Sequence, residues 1–242
     1  MITVLVLVTL LSSGQSLASD DLPESVDWRE KGLVTGVWKE GGCNSSWAIA
    51  TANVIEGHYA RKYHKLNLLS IQQLIDCVNG TDQVRGCHYA VEPALEFLLN
   101  HHIGLMHNDE YMYTGFDFDI CRYNEIREQV HIIGYARIFP FTEERLKEVV
   151  AKTGPVAVGI HKLPSFDSYK SGVYYDKECR SDEASINHWV TIVGYGAENG
   201  QEYWIVKNSE GIWFGEEGYI RMARNKGNHC GIVTAGFYPF IK

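Results

Sequence analysis

The sequence predicts an α+β fold of two lobes, a helical lobe at about residues 40–125 followed by a β-rich lobe at about residues 126–242, with a cleft between them. Three observations point there. Helix-spaced apolar residues gather in the first half of the chain. Short apolar runs separated by glycine and Asn-Gly punctuation fill the second half. The chain has 242 residues, 45% of them apolar and 21% charged, enough to bury a full core.

Each element has its own signal. Trp47, Ala50, Thr51 and Val54 recur at helix spacing with the small Ala48 and Ala52 between them, so the first helix should be buried on most sides. Ser70-Ile71-Gln72-Gln73 reads as a capping box opening a short helix towards Cys77. Pro93 stands where a first helical turn tolerates it, ahead of Leu95, Phe97, Leu98 and Leu99. From about residue 130 the pattern turns to strands, and one helix interrupts them. Thr142 caps that helix, Glu143 and Glu144 suit its first turn, and Gly154-Pro155 end it. Strands are expected at Val156–Ile160 and at residues 173–175, 189–195, 203–207 and 219–222.

The first residues set the compartment. Residues 2–11 are apolar but for two threonines, and the small Ser16 and Ala18 fit signal-peptidase cleavage after Ala18. Residues 1–18 are therefore read as a signal peptide and 19–242 as the mature domain, secreted or held in a lysosome-like lumen. The leader run is too short to cross a bilayer and the other apolar segments are interrupted, so no membrane span is expected. Six cysteines in a secreted chain read as three disulfides, although the count leaves their pairing open. None forms a C-x-x-C pair, which argues against a zinc ribbon or a thioredoxin-type site. A net charge of −8 with no basic run argues against binding nucleic acid or an anionic membrane.

Four ordered motifs are more specific. The chain opens Leu22-Pro23-Glu24-Ser25-Val26-Asp27-Trp28-Arg29. Glu40-Gly41-Gly42-Cys43-Asn44-Ser45-Ser46-Trp47-Ala48 follows. Asn187-His188-Trp189 precedes Val193-Gly194-Tyr195-Gly196, and Tyr203-Trp204-Ile205-Val206-Lys207-Asn208-Ser209 leads to Gly218-Tyr219-Ile220-Arg221. These segments resemble the mature start, nucleophile, histidine and asparagine segments of the papain-like cysteine peptidases, cathepsin L-like members among them. The resemblance runs from about Leu22 to the C-terminus. It implies the same two lobes, the second of them β-barrel-like. It also implies a cysteine at a helix N-terminus, made a thiolate by the helix dipole and an imidazolium. A histidine then protonates the leaving amine, an asparagine orients that histidine, and a tryptophan shields their hydrogen bond. A glutamine side chain and a backbone N–H hold the oxyanion.

This chain departs from that pattern at the site. Ser46 stands at the nucleophile position, with His188 and Asn208 at the matching partner positions. A serine hydroxyl forms no thiolate–imidazolium pair and needs a strong neighbouring base. Glu40 replaces the oxyanion glutamine, and an ionised carboxylate accepts hydrogen bonds but donates none. A protonated Glu40 donates only if its pKa is strongly raised. Glu210 replaces the shielding tryptophan, and the next family tryptophan falls on Phe214. His88-Tyr89-Ala90 replaces the glycines that bind extended substrate. The resemblance implies a long propeptide, yet the leader runs almost directly into Ser25-Val26-Asp27-Trp28; the expectation is a protein that needs no inhibitor, the alternative a truncated or alternatively spliced sequence.

The resemblance pairs the cysteines as Cys43–Cys87, Cys77–Cys121 and Cys179–Cys230, leaving no free thiol. The expectation is a catalytically inactive homologue, a pseudoenzyme that binds a peptide or protein ligand or competes with active relatives. It needs no cofactor or metal and acts as a monomer. The alternatives are a weak serine hydrolase using Ser46 and His188, or a structural or storage protein. Asn79-Gly80-Thr81 is a sequon for N-glycosylation on a loop; Asn44-Ser45-Ser46 is formally a second, beside a bridge and at a helix start. His101, His102 and His107 lack the further donors a metal site needs and read as surface or loop residues.

Overall fold

The computed structural model describes residues 22–78, 89–116 and 120–242. The leader at 1–18, the sequon at Asn79, His88, and the Cys87 partner expected for Cys43 lie outside the described residues.

The helical lobe is built on α1 (Ser46–Tyr63), with α2 (Ile71–Cys77) and α3 (Val91–Asn100) against it. Every residue of α1 from Ser46 to Gly57 is buried, because the sheet closes the side the other helices leave open. The helix has little amphipathic character for that reason. The capping box of α2 forms by half. Ser70 Oγ accepts the Gln73 N–H at 3.0 Å, but the Gln73 side chain turns away. It donates to Gly104 O and accepts the Met106 N–H, tying α2 to the strand Leu105–Met106 instead of closing the box. That strand is β2, and it pairs with β3 (Gln129–Val130).

The second lobe is an eight-stranded sheet. Its path runs β4 (Ile132–Arg137), β10 (Ala235–Ile241), β5 (Val156–Ile160), β7 (His188–Glu198), β8 (Gln201–Lys207), β9 (Tyr219–Ala223) and β6 (Val173–Tyr174). Off this path, β1 (Val26–Asp27) pairs with β7. Gly194 permits that pairing, since a Cβ there would lie 2.1 Å from Val26 O. The β7–β8 turn is Asn199-Gly200, both at positive φ, as a tight hairpin requires. The helix α4 (Glu143–Lys152) is capped by Thr142, whose hydroxyl accepts the Arg145 N–H at 3.2 Å. The short α5 (Pro164–Asp167) completes the elements.

β4 and β10 were not legible in the sequence. Gly236 and Pro239 break the strand pattern of β10, and its place comes from pairing on both sides, with β4 and with β5. The two lobes share material: Val130, Ile132, Ala157, Ala235, Phe237 and Ile241 pack into the core of the helical lobe. Cys77–Cys121 staples the end of α2, and Cys179–Cys230 staples the β-rich lobe. Cys43 is also disulfide-bonded. No helix among the described residues is long and apolar enough to cross a membrane.

Candidate active site

Three segments meet at one end of the interface between the lobes: the loop that enters α1, the first residue of β7, and the loop that leaves β8. They line a cleft of about 480 Å³ that holds Glu40, Ser46, His188 and Glu210 together.

The N-terminus of α1 is capped in an unusual way. Its N-cap residue Ser45 makes no side-chain cap hydrogen bond; the Ser45 hydroxyl pairs with the Tyr113 hydroxyl at 2.9 Å. The first-turn donor is taken instead by Glu40. Glu40 Oε2 accepts the Ser46 N–H at 3.0 Å, and Oε1 accepts the Ser209 hydroxyl at 3.0 Å. A backbone bridge between Lys39 and Glu210, with the Glu40 N–H donating to Ser209 O, fixes the carboxylate there. A carboxylate at a helix N-terminus is electrostatically favoured. Burial nevertheless pushes the Glu40 carboxyl up to about 7, and the Glu210 charge adds to that rise. Ser209, Lys162 and the Ser46 N–H act in the opposite sense.

The Ser46 hydroxyl faces across the interface. Its oxygen accepts the Trp189 N–H at 3.3 Å, its hydrogen-bond partner among the described residues. His188 is buried, with Nε2 at 2.8 Å from Asn208 Oδ1. Burial pulls the imidazole down to about 4, only partly offset by the bond to Asn208, so the ring is neutral near neutral pH. With Nε2–H donating to Asn208, Nδ1 carries the lone pair. Asn208 Nδ2 is buried and has no hydrogen-bond partner among the described residues.

Glu210 does not cover the His188–Asn208 bond as an aromatic ring would. Its carboxylate pairs with Lys162 at 2.9 Å, and Lys162 also reaches Asp167 at 2.8 Å. Aromatic cover for His188 comes from Phe166, edge-on at 6.1 Å, which stacks on Phe214 at 5.4 Å. Tyr89 packs edge-on against Trp47 at 5.5 Å and lines the cleft, one of the residues that replace the substrate-binding glycines.

Of the substituted positions read from the sequence, Glu40, Ser46, Tyr89 and Glu210 are thus gathered here, and His88 lies outside the described residues. Sequence reasoning gave no role to Lys162, Phe166, Asp167 or Ser209. Ser209 closes the asparagine motif and was within reach; the other three lie on a segment, His161 to Asp167, that carries no motif. Among the described residues, the one cluster of metal-ligating atoms is Cys179, His229 and Cys230. Its two sulfurs are spent in a disulfide, so it is no donor set for a metal.

Comparison with known proteins agrees with this arrangement. The sequence model described as "Papain family cysteine protease" matches residues 22–240. Cathepsin S of Bos taurus is 43% identical over 223 residues, covering 91% of this chain and 66% of its own length. A cathepsin L-like protein of Caenorhabditis elegans is 42% identical over 226 residues, covering 91% of this chain and 65% of its own. The chain therefore spans about two thirds of the length of these relatives. Among solved structures, the digestive procathepsin L 3 of Tenebrio molitor larval midgut superposes with a TM-score of 0.85 at 37% identity, over 92% of this chain and 71% of that one. Bromelain of Ananas comosus, in complex with the E64 inhibitor, superposes with a TM-score of 0.83 at 37% identity, over 91% of this chain and all of that one. The ordered motifs, the two lobes and the cleft between them have one explanation: this chain belongs to the papain family of cysteine proteases.

Proposed function

We propose that this chain is a secreted papain-family homologue without peptidase activity that works by holding a peptide or protein segment in its cleft. One observation carries the reading: the Ser46 N–H, the backbone donor that an oxyanion would need, is already bound by the Glu40 carboxylate at 3.0 Å. The residue at the position of the second donor thus consumes the first. Losing one such donor typically costs about 10²–10³ in rate, and a negative charge in its place costs more. The Ser46 hydroxyl turns to Trp189, and His188 is held neutral, so neither half of a thiolate–imidazolium pair exists. Below about pH 7 a neutral Glu40 gains a donor. Ser46 supplies no thiol and Glu210 no aromatic ring at any pH, so acidification alone does not rebuild the family chemistry.

The test is a peptidase assay on four purified forms: wild type, Ser46→Cys, Glu40→Gln with Ser46→Cys, and that pair with Glu210→Trp. Wild type should turn over no peptide and take no fluorophosphonate label, and activity should rise as each family residue returns. Turnover by wild type that Ser46→Ala abolishes would replace this reading with a serine hydrolase using Ser46 and His188.

A further inference from the structure

We propose that the segment held in the cleft is cationic, with a lysine or arginine side chain bound by the carboxylates of Glu210 and Asp167 beside His188. This rests on the cleft being a binding site.

The chain carries its own stand-in for that group. Lys162 Nζ lies 2.9 Å from Glu210 Oε1 and 2.8 Å from Asp167 Oδ1, with its ammonium 6.0 Å from the centre of the Phe166 ring. An ammonium between two carboxylates shows what this wall accepts. It also leaves the wall incompletely used. Glu210 Oε2 and Asp167 Oδ2 have no hydrogen-bond partner among the described residues, and the two side chains are 33% and 57% exposed. A ligand cation can therefore bind to the outer oxygens without expelling Lys162.

The charges lining the cleft favour the same sign. Asp167 and Glu210, with a Glu40 that is only partly ionised near pH 7, face one base, Lys162, while His188 is neutral. Both oxygens of Glu40 are spent on Ser46 and Ser209, so it contributes field rather than contact. Partly buried walls strengthen such a field relative to open surface. Tyr89 and Trp189 line the same cleft and are partly exposed, as aromatic partners for a guanidinium must be, whereas Trp47 is buried behind Tyr89. An acidic segment meets like charge there and is rejected.

The experiment uses fluorescein-labelled peptides on one alanine–glycine framework, carrying arginines, leucines or glutamates at the same places. Each is titrated with the wild-type protein by fluorescence anisotropy near neutral pH, at low and high salt. The arginine peptide should bind at least about tenfold more tightly than the glutamate peptide, with an advantage that shrinks in salt. Glu210→Gln with Asp167→Asn should remove the preference. Lys162→Met should increase it, because a positive charge that repels the ligand's is gone, and circular dichroism confirms that each variant is folded. Equal or tighter binding of the leucine or glutamate peptide would overturn the proposal. So would an arginine preference that survives Glu210→Gln with Asp167→Asn, or no binding of any peptide. Mass spectrometry of the recovered peptides separates the two readings. Cleavage would overturn the inactive-homologue reading, while the charge preference is scored on binding alone.

Discussion

Two carboxylates are buried where the lobes meet, and their surroundings differ. Beneath the cleft, Glu56 of α1 accepts the Thr35 hydroxyl at 2.5 Å and the Leu69 N–H at 2.8 Å. Lys207 Nζ donates to the same Thr35 oxygen at 3.1 Å and to Asn53 Oδ1 at 2.7 Å, and Asn53 Nδ2 reaches Thr191 Oγ1 at 3.2 Å. Burial raises the Glu56 pKa while the Lys207 charge opposes it; burial likewise pulls Lys207 down to about 8. In the cleft, Glu40 has hydroxyl and amide partners but no cation in contact, and the neighbouring Asn208 Nδ2 has none at all among the described residues. The lower network links Lys207 to Glu56 through the shared Thr35 hydroxyl and fastens the lobes together. The upper one has no such link to a cation among the described residues, and burial leaves its carboxyl titrating near 7.

The contrast breaks first at Lys207. Lys207→Met strands Glu56, and urea unfolding should show a loss of about 3–5 kcal/mol; a loss below about 1 kcal/mol would mean that the lower network is no better paired than the upper. The next effect is kinetic. In the Ser46→Cys background, Glu40→Gln should raise kcat/KM on a peptide substrate by about 10²–10³ at neutral pH, by freeing the Ser46 N–H and supplying a second donor. High activity of Ser46→Cys alone would show that Glu40 does not occupy the oxyanion position.

The third effect depends on pH, and its sign is set by Glu40 being raised. The group titrates near 7 in the fold against an ordinary value of 4.5, so the folded protein disfavours its charged form. Stability is therefore lost as pH rises from 4.5 through 7, by up to about 3 kcal/mol. Glu40→Gln should unfold later than wild type at pH 8, and the two curves should meet near pH 4.5. His188 acts at the other end. It is pulled from 6.5 to about 4, so the stability it contributes as a neutral ring is lost as pH falls through that window. A Glu40→Gln variant with no pH-dependent gain would mean that the carboxylate is adequately solvated where it lies. The smallest effect is Ser46→Ala, which removes one long hydrogen bond to Trp189 and should cost about 0.5 kcal/mol in thermal unfolding.

What the sequence disclosed followed local signals. The buried α1, the Thr142 cap, the Asn199-Gly200 turn and the core of β7 are written in spacing and side-chain type. Ser46, Glu40, His188, Asn208 and Glu210 could be singled out because each sits in a motif. The rest is set by tertiary pairing. β10 is a strand because β4 and β5 flank it, despite Gly236 and Pro239. Gln73 leaves its capping box because β2 offers better-placed partners. Lys162 and Asp167 have no local pattern and become part of the site only when α5 folds beside Glu210. The raised Glu40 carboxyl was likewise invisible, because burial is a property of the assembled lobes.

The complete burial of α1 from Ser46 to Gly57 has a consequence for how such a chain can diversify. Beyond Ser46 and Trp47, which line the cleft, the side chains on those three turns are buried, so almost any replacement there is paid in folding. Glu210, Lys162 and Asp167 stand on loops or a short helix at the rim, where replacement alters what is recognised and little else. The molecule is divided as an antibody domain is, into a framework that resists drift and a margin open to selection. A lineage built on this scaffold can then vary what it recognises along that margin without first inventing a new protein.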